Sequence, residues 1–95
     1  MIRSYRNRET EQFAAGRRVR RWDGIADQAR SRLRRLDAAV SLLDLRNLPS
    51  NRLEALSGDR RGQFSIRINT QWRICFNWFD GDSGPSNVDI VDYHG

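Results

Sequence analysis

The run QFSIRINTQWRICFNWF, residues 63–79, restricts the fold more than any other part of the chain. Phe64, Ile66 and Ile68 alternate with Gln63, Ser65 and Arg67; after Asn69-Thr70-Gln71 the alternation resumes, with Trp72, Ile74, Phe76 and Trp78 set between Arg73, Cys75 and Asn77. Two period-two runs joined by a short polar turn predict an antiparallel β-hairpin with one apolar and one polar face. The apolar face must meet a core. Arg67 and Arg73 then point the other way, close together on the face that is expected to stay open.

A chain of 95 residues suits one domain, 1–95, which at this length buries roughly two thirds of its unfolded surface. It contains no apolar run long enough for a membrane span and no secretory segment behind Met1-Ile2-Arg3, so the expected location is the cytoplasm. The single cysteine, Cys75, has no internal disulfide partner and no flanking base, so it reads as a structural thiol. The formal charge is +5, and all 17 basic residues are arginine. Twelve arginines against 6 acids lie in residues 1–46, and 5 against 6 in residues 47–95. A basic first half points to an acidic partner, either nucleic acid or an acidic protein surface.

In chain order, Met1-Ile2-Arg3-Ser4-Tyr5 alternates as a weak strand. Asn7 can cap a short helix that carries Glu9 and Glu11 in its first turn, turns Phe13 inward and stops at Gly16. Arg17, Arg18, Arg20 and Arg21 follow within five residues, either as a solvated connector or as a phosphate-binding cluster. Asp23 is the expected N-cap of a long helix running to about Arg46. Ile25, Ala29, Leu33, Leu36, Val40 and Leu43 share one face of it as the second wall of the core, opposite Arg30, Arg34, Asp37 and Ser41. Leu53 and Leu56 pin the connector from Asn51 to Arg61, where Gly58 and Gly62 bracket Asp59-Arg60-Arg61. Those arginines are either placed to reach a backbone phosphate or plain turn residues.

After the turn-forming run Asp80-Gly81-Asp82-Ser83-Gly84-Pro85, which lacks the ligand spacing of a calcium loop, Asn87 to His94 returns as a third long strand. Alternation from Val88 and Ile90 puts Asp92 and His94 on the helix side and Tyr93 with Arg67 and Arg73. No P-loop, GxGxxG, HExxH or CxxC motif is present, so no cofactor and no metal are expected. The order strand, short helix, long helix and antiparallel meander gives an α+β domain with its helices on one face of the sheet.

The opening MIRSY, the segment NRLEALSGDRRGQFSIRINTQWRICF and the closing VDIVDYHG resemble the HigB branch of the RelE/ParE toxins of type II toxin–antitoxin systems. The resemblance covers essentially the whole chain. It implies an endoribonuclease that enters the A site of the 30S subunit and cuts messenger RNA there by metal-independent attack of the 2′-hydroxyl on the adjacent phosphate. Arg67 and Arg73 match the phosphate-gripping positions, and Asp92, Tyr93 and His94 match the terminal DYH that supplies acid–base and stacking groups. Where some members carry a basic residue and a histidine, this chain has Ser57 and Glu54, which implies weaker cleavage with Arg60 and Arg61 as substitutes. The resemblance further implies a HigA-like helix-turn-helix antitoxin as partner and, through that complex, operator DNA. ParE-type relatives of the same fold inhibit DNA gyrase by binding; the strand arginines and the terminal DYH favour the nuclease.

Overall fold

Both faces of the central sheet are covered, the apolar one by helices and the polar one by arginine side chains and the connector that precedes the hairpin. A computed structural model describes residues 1–93. Its helices are α1 (Arg8–Ala14), α2 (Ala26–Ala38) and α3 (Leu42–Arg46), with a 3-10 turn over Arg20–Ile25. Its strands are β1 (Glu54–Ala55), β2 (Gln63–Arg67), β3 (Trp72–Asn77) and β4 (Ser86–Asp92), antiparallel in the order β1-β2-β3-β4. Among the described residues no helix is long and apolar enough to cross a membrane.

The hairpin and the third long strand form as their alternation requires. Ile66, Ile74 and Ile90 stand in one cross-strand row, and Phe64 opposes Phe76 with ring centroids 6.2 Å apart. Helical residues close over this face: Phe13, Trp22, Ile25, Ala29, Leu33, Leu36 and Leu45 are all buried. Trp22, which stands amid the arginine cluster, is fully buried because the 3-10 turn swings it inward. There it meets Phe13 edge-to-face at 5.1 Å. At the start of the chain, residues 3–6 run extended beside β4 and pair in parallel through a single bridge, Tyr5 to Val88. Gly84 permits this approach, since a Cβ there would collide with the Met1 carbonyl oxygen.

Asn7 caps α1 as expected, accepting from the Thr10 N–H at 2.8 Å, and Gly16 follows with φ +102°. The long helix differs from its expectation at both ends. Asp23 lies inside the 3-10 turn, and its carboxylate takes a forked hydrogen bond from Arg18 at 2.5–3.1 Å in place of capping a helix. Beyond Ala38 the chain turns extended at Ala39 and restarts. Ser41 accepts from the Asp44 N–H and Asp44 accepts from the Val40 N–H, a reciprocal capping arrangement that begins α3. This break rotates the apolar stripe, leaving Val40 and Leu43 exposed at 70% and 61% and burying Leu45 at 1% in their place. Nor does the connector from Asn51 to Arg61 lack a strand: Glu54 and Ala55 pair with Ser65 and Phe64 at the sheet edge.

The face expected to be open is buried. Ser65, Cys75 and Asp89 form one cross-strand row and are at most 3% exposed. Arg60 lies across them, donating to Gln63 Oε1 at 3.0 Å and forking onto Asp89 at 3.2–3.3 Å. Burial pulls the Arg60 guanidinium down, and the Asp89 hydrogen bond and charge more than offset that, for a net upward shift. Arg60 is thus committed to a buried carboxylate, which a turn position alone does not reveal. Arg60→Ala is expected to cost on the order of 3 kcal/mol in urea denaturation by stranding Asp89, and Arg60→Ala with Asp89→Leu to cost less than the single change. Equal stability of Arg60→Ala and the unsubstituted chain would show that water reaches Asp89.

Candidate active site

At the open end of the polar face the hairpin register places Arg67 directly opposite Arg73. Like charges at opposed positions are unfavourable unless other groups hold them, and here each is held differently. Arg73 is 6% exposed: its Nε donates to Ser65 Oγ at 2.7 Å and its Nη2 to the Arg52 carbonyl at 2.6 Å. Its Nη1 lies 4.0 Å from Glu54 Oε1. Arg67 anchors through its backbone, where Arg32 of α2 donates to its carbonyl at 3.2 Å, and its side chain stays partly exposed.

Tyr93 completes the group, as alternation along β4 requires. Its ring lies 5.4 Å from the Arg73 guanidinium, and its N–H donates to the Gln71 carbonyl at 2.6 Å, tying the end of β4 to the hairpin turn. In that turn Asn69 Oδ1 accepts from the N–H groups of Gln71 and Trp72, both at 2.8 Å, a side-chain-closed turn that fixes the rim. Arg52, Glu54, Arg67, Asn69, Thr70, Arg73 and Tyr93 together line a recess of about 270 Å³. Its wall is cationic, with an aromatic ring on one side and one carboxylate on the rim.

Other anticipated residues lie elsewhere. Asp92 opposes Trp72 on the helix side and accepts from Gln71 Nε2 at 3.0 Å, so it braces the turn that carries the recess. His94 lies outside the described residues. Arg17, Arg18, Arg20 and Arg21 belong to the α1–α2 connection, on the helix side of the sheet. There Arg18 binds Asp23, whose carboxyl it holds below the usual range, and Arg21 binds Glu9 while stacking on Trp22 at 4.9 Å. Arg61 is exposed in the turn before β2, while Arg60 is held by Asp89. Arg52 and the hairpin turn were not anticipated at the site, their only signal being adjacency to strands, whereas Glu54, already expected at a family site position, is held on the rim by the unrecognised β1.

The family model of RelE-like toxins of type II toxin–antitoxin system HigB matches residues 4–94. The chain belongs to that family. It is 45% identical over 58 residues to Toxin HigB-1 of Vibrio cholerae, an alignment covering 61% of each chain. It is 37% identical over 68 residues to Endoribonuclease HigB of Proteus vulgaris, covering 72% of this chain and 71% of that one. The matched stretch is thus about three fifths of the length of the first relative. This member of the family presents the recess on a four-stranded antiparallel sheet backed by helices.

Burial changes what substitution of Arg73 means. Because its removal strands the Ser65 hydroxyl and the Arg52 carbonyl, Arg73→Ala is expected to lower stability by roughly 1–3 kcal/mol in denaturant titration and to abolish growth inhibition as well. Full toxicity in an induced culture would remove Arg73 from the site. Cys75, beneath the same layer, is a fully buried free thiol whose pKa burial pushes from 9.0 up to about 11. Its proton stays on in the folded protein while the unfolded thiol ionises. Its contribution is therefore complete below pH 9 and lost as pH rises towards 11, on the order of 2–3 kcal/mol in all. Stability measured from pH 8 to pH 11 should fall less steeply in Cys75→Ala.

Proposed function

We propose that this toxin is a ribosome-dependent endoribonuclease that cleaves messenger RNA in the 30S A site, acts in the cytoplasm and is neutralised by a HigA-like helix-turn-helix antitoxin. The observation that carries the reading is the Arg67–Arg73 pair beside Tyr93 in one recess. The name of the Proteus vulgaris relative, an endoribonuclease, supports the same chemistry.

In that chemistry the RNA 2′-oxygen bonds to the adjacent phosphorus and the bond from phosphorus to the 5′-oxygen breaks. The products are a 2′,3′-cyclic phosphate and a 5′-hydroxyl. The 2′-proton leaves to a base, and the departing 5′-oxygen gains one. Charge accumulates on the non-bridging phosphate oxygens in the transition state, so preorganised guanidinium groups lower the barrier most. Arg73, locked by Ser65 and Arg52, is preorganised in this sense, and Arg67 faces the same phosphate from the neighbouring strand. Tyr93, half exposed, offers a stacking surface for a splayed base and a hydroxyl near the phosphate. Proton transfer falls to the terminal DYH, with His94 as the group whose ordinary pKa lies near neutrality; Asp92 acts by bracing the turn.

Induction in bacteria should yield messenger 5′ ends within translated codons, and intact messages during growth arrest would sink the reading. Arg67 separates catalysis from folding better than Arg73 does, because its guanidinium is not part of the buried layer. Arg67→Ala is expected to slow cleavage on programmed ribosomes by about 10²–10³-fold, with the melting temperature unchanged. Cleavage at the unsubstituted rate would exclude it from the phosphate site.

A further inference from the structure

Six described residues have positive φ: Gly16, Gly58, Gly62 and Gly81, then Asn87 at +54° and Arg52 at +45°. The first four are glycine, which adopts this region freely, and asparagine is the side chain that tolerates it best. Arg52 is the exception. With φ +45° and ψ +55° it sits in the left-handed region, where a long side chain is strained and a glycine would be better suited.

Two features of Arg52 separate cleanly. Its backbone serves the fold: the left-handed turn after Pro49–Asn51 presents the Arg52 carbonyl to Arg73 Nη2 at 2.6 Å. Any residue would supply that carbonyl, and glycine would do so without strain. Its side chain serves no contact of that kind. The guanidinium makes no hydrogen bond or ion pair among the described residues, is exposed, and lines the recess with Arg67 and Arg73. A strained backbone that carries an unpartnered cation into a cationic recess is unfavourable twice over, once by conformation and once by repulsion.

We infer that the Arg52 side chain is a phosphate-binding group of this site, contacting the RNA backbone beside the phosphate held by Arg67 and Arg73. The inference rests on the ribonuclease reading for its substrate. An RNA phosphodiester supplies negative charge spread along a chain, able to neutralise three guanidinium groups that Glu54, the one carboxylate among the described residues lining the recess, cannot. Arg52 thus has two roles on two parts of the residue. Its carbonyl positions Arg73, and its guanidinium binds substrate.

The test is Arg52→Gly, which keeps the carbonyl and relieves the strain. Binding is read on ribosomes programmed with messenger RNA whose A-site codon carries 2′-deoxy sugars and so cannot be cut; cleavage is read on the all-ribose message. Arg52→Gly is expected to bind roughly ten- to hundredfold more weakly, with a slope of log affinity against log salt shallower by about 1. It should melt at the same temperature or slightly higher. Arg52→Lys, which keeps the charge, should recover most of the binding. Arg52→Gly that binds and cleaves like the unsubstituted chain overturns the inference, and so does Arg52→Lys that binds as poorly as Arg52→Gly. An unsubstituted chain that binds both messages yet cuts neither refutes the ribonuclease reading, while the Arg52 comparison still decides the phosphate contact. An unsubstituted chain that does not bind at all overturns both.

Discussion

The structure depends on arginine being able to bury itself on a polar sheet face. Ser65, Gln63 and Asp89 would be costly to remove from water unless donors met them. Arg60 and Arg73 meet them from opposite ends of the layer, Arg60 on Gln63 and Asp89, Arg73 on Ser65 and the Arg52 carbonyl. A planar fork with five donors can serve several acceptors while its stem covers the strand beneath, which the point charge of lysine cannot do. The arginine-only usage of this chain, whatever its origin, therefore has a structural consequence. Its polar face becomes a second buried layer.

Much of the fold was legible because strand periodicity is a local property. The alternation of Phe64, Ile66 and Ile68 against Trp72, Ile74 and Phe76 determined the register that opposes Arg67 to Arg73, and continuing it along Val88 and Ile90 placed Tyr93 beside them and Asp92 away. What periodicity does not report is whether a polar face is solvated. That was settled by Arg60 reaching Asp89 across 29 positions of sequence, a contact with no local signature. The helical stripe misled for a related reason. Val40 and Leu43 keep the spacing of a continuous helix, but Ser41 and Asp44 cap a new one, and the capping bonds outweigh the pattern.

The arginine cluster before α2 shows that charge density in a sequence does not report how much of the charge is paired within the fold. Arg18 and Arg21 are drawn onto Asp23 and Glu9, and Arg30 turns back to donate to the Phe13 carbonyl at 2.5 Å while covering that ring at 3.9 Å. Such exposed pairs add little stability singly. Together they orient the chain around the buried Trp22 and neutralise the part of the cluster's charge that Arg18 and Arg21 carry.

In the recess the division of labour among arginines follows burial. Arg73, whose Nε and Nη2 are bonded inside the protein, has surrendered most of its conformational freedom, so on the proposed ribonuclease reading little entropy is lost when it meets a phosphate. Arg67 and Arg52 keep their side chains available and supply charge at the mouth. A site made only of the second kind would bind weakly and position poorly; one made only of the first would have no donors left to offer. Placing one locked guanidinium between two available ones, on a turn closed by Asn69 and braced through Gln71 and Asp92, gives a small sheet a fixed point of positive charge without a deep pocket. The same arrangement makes the locked side chain part of the fold, so its loss perturbs stability, whereas Arg52 and Arg67 serve the fold through their backbone carbonyls and leave their guanidinium groups outside the buried layer.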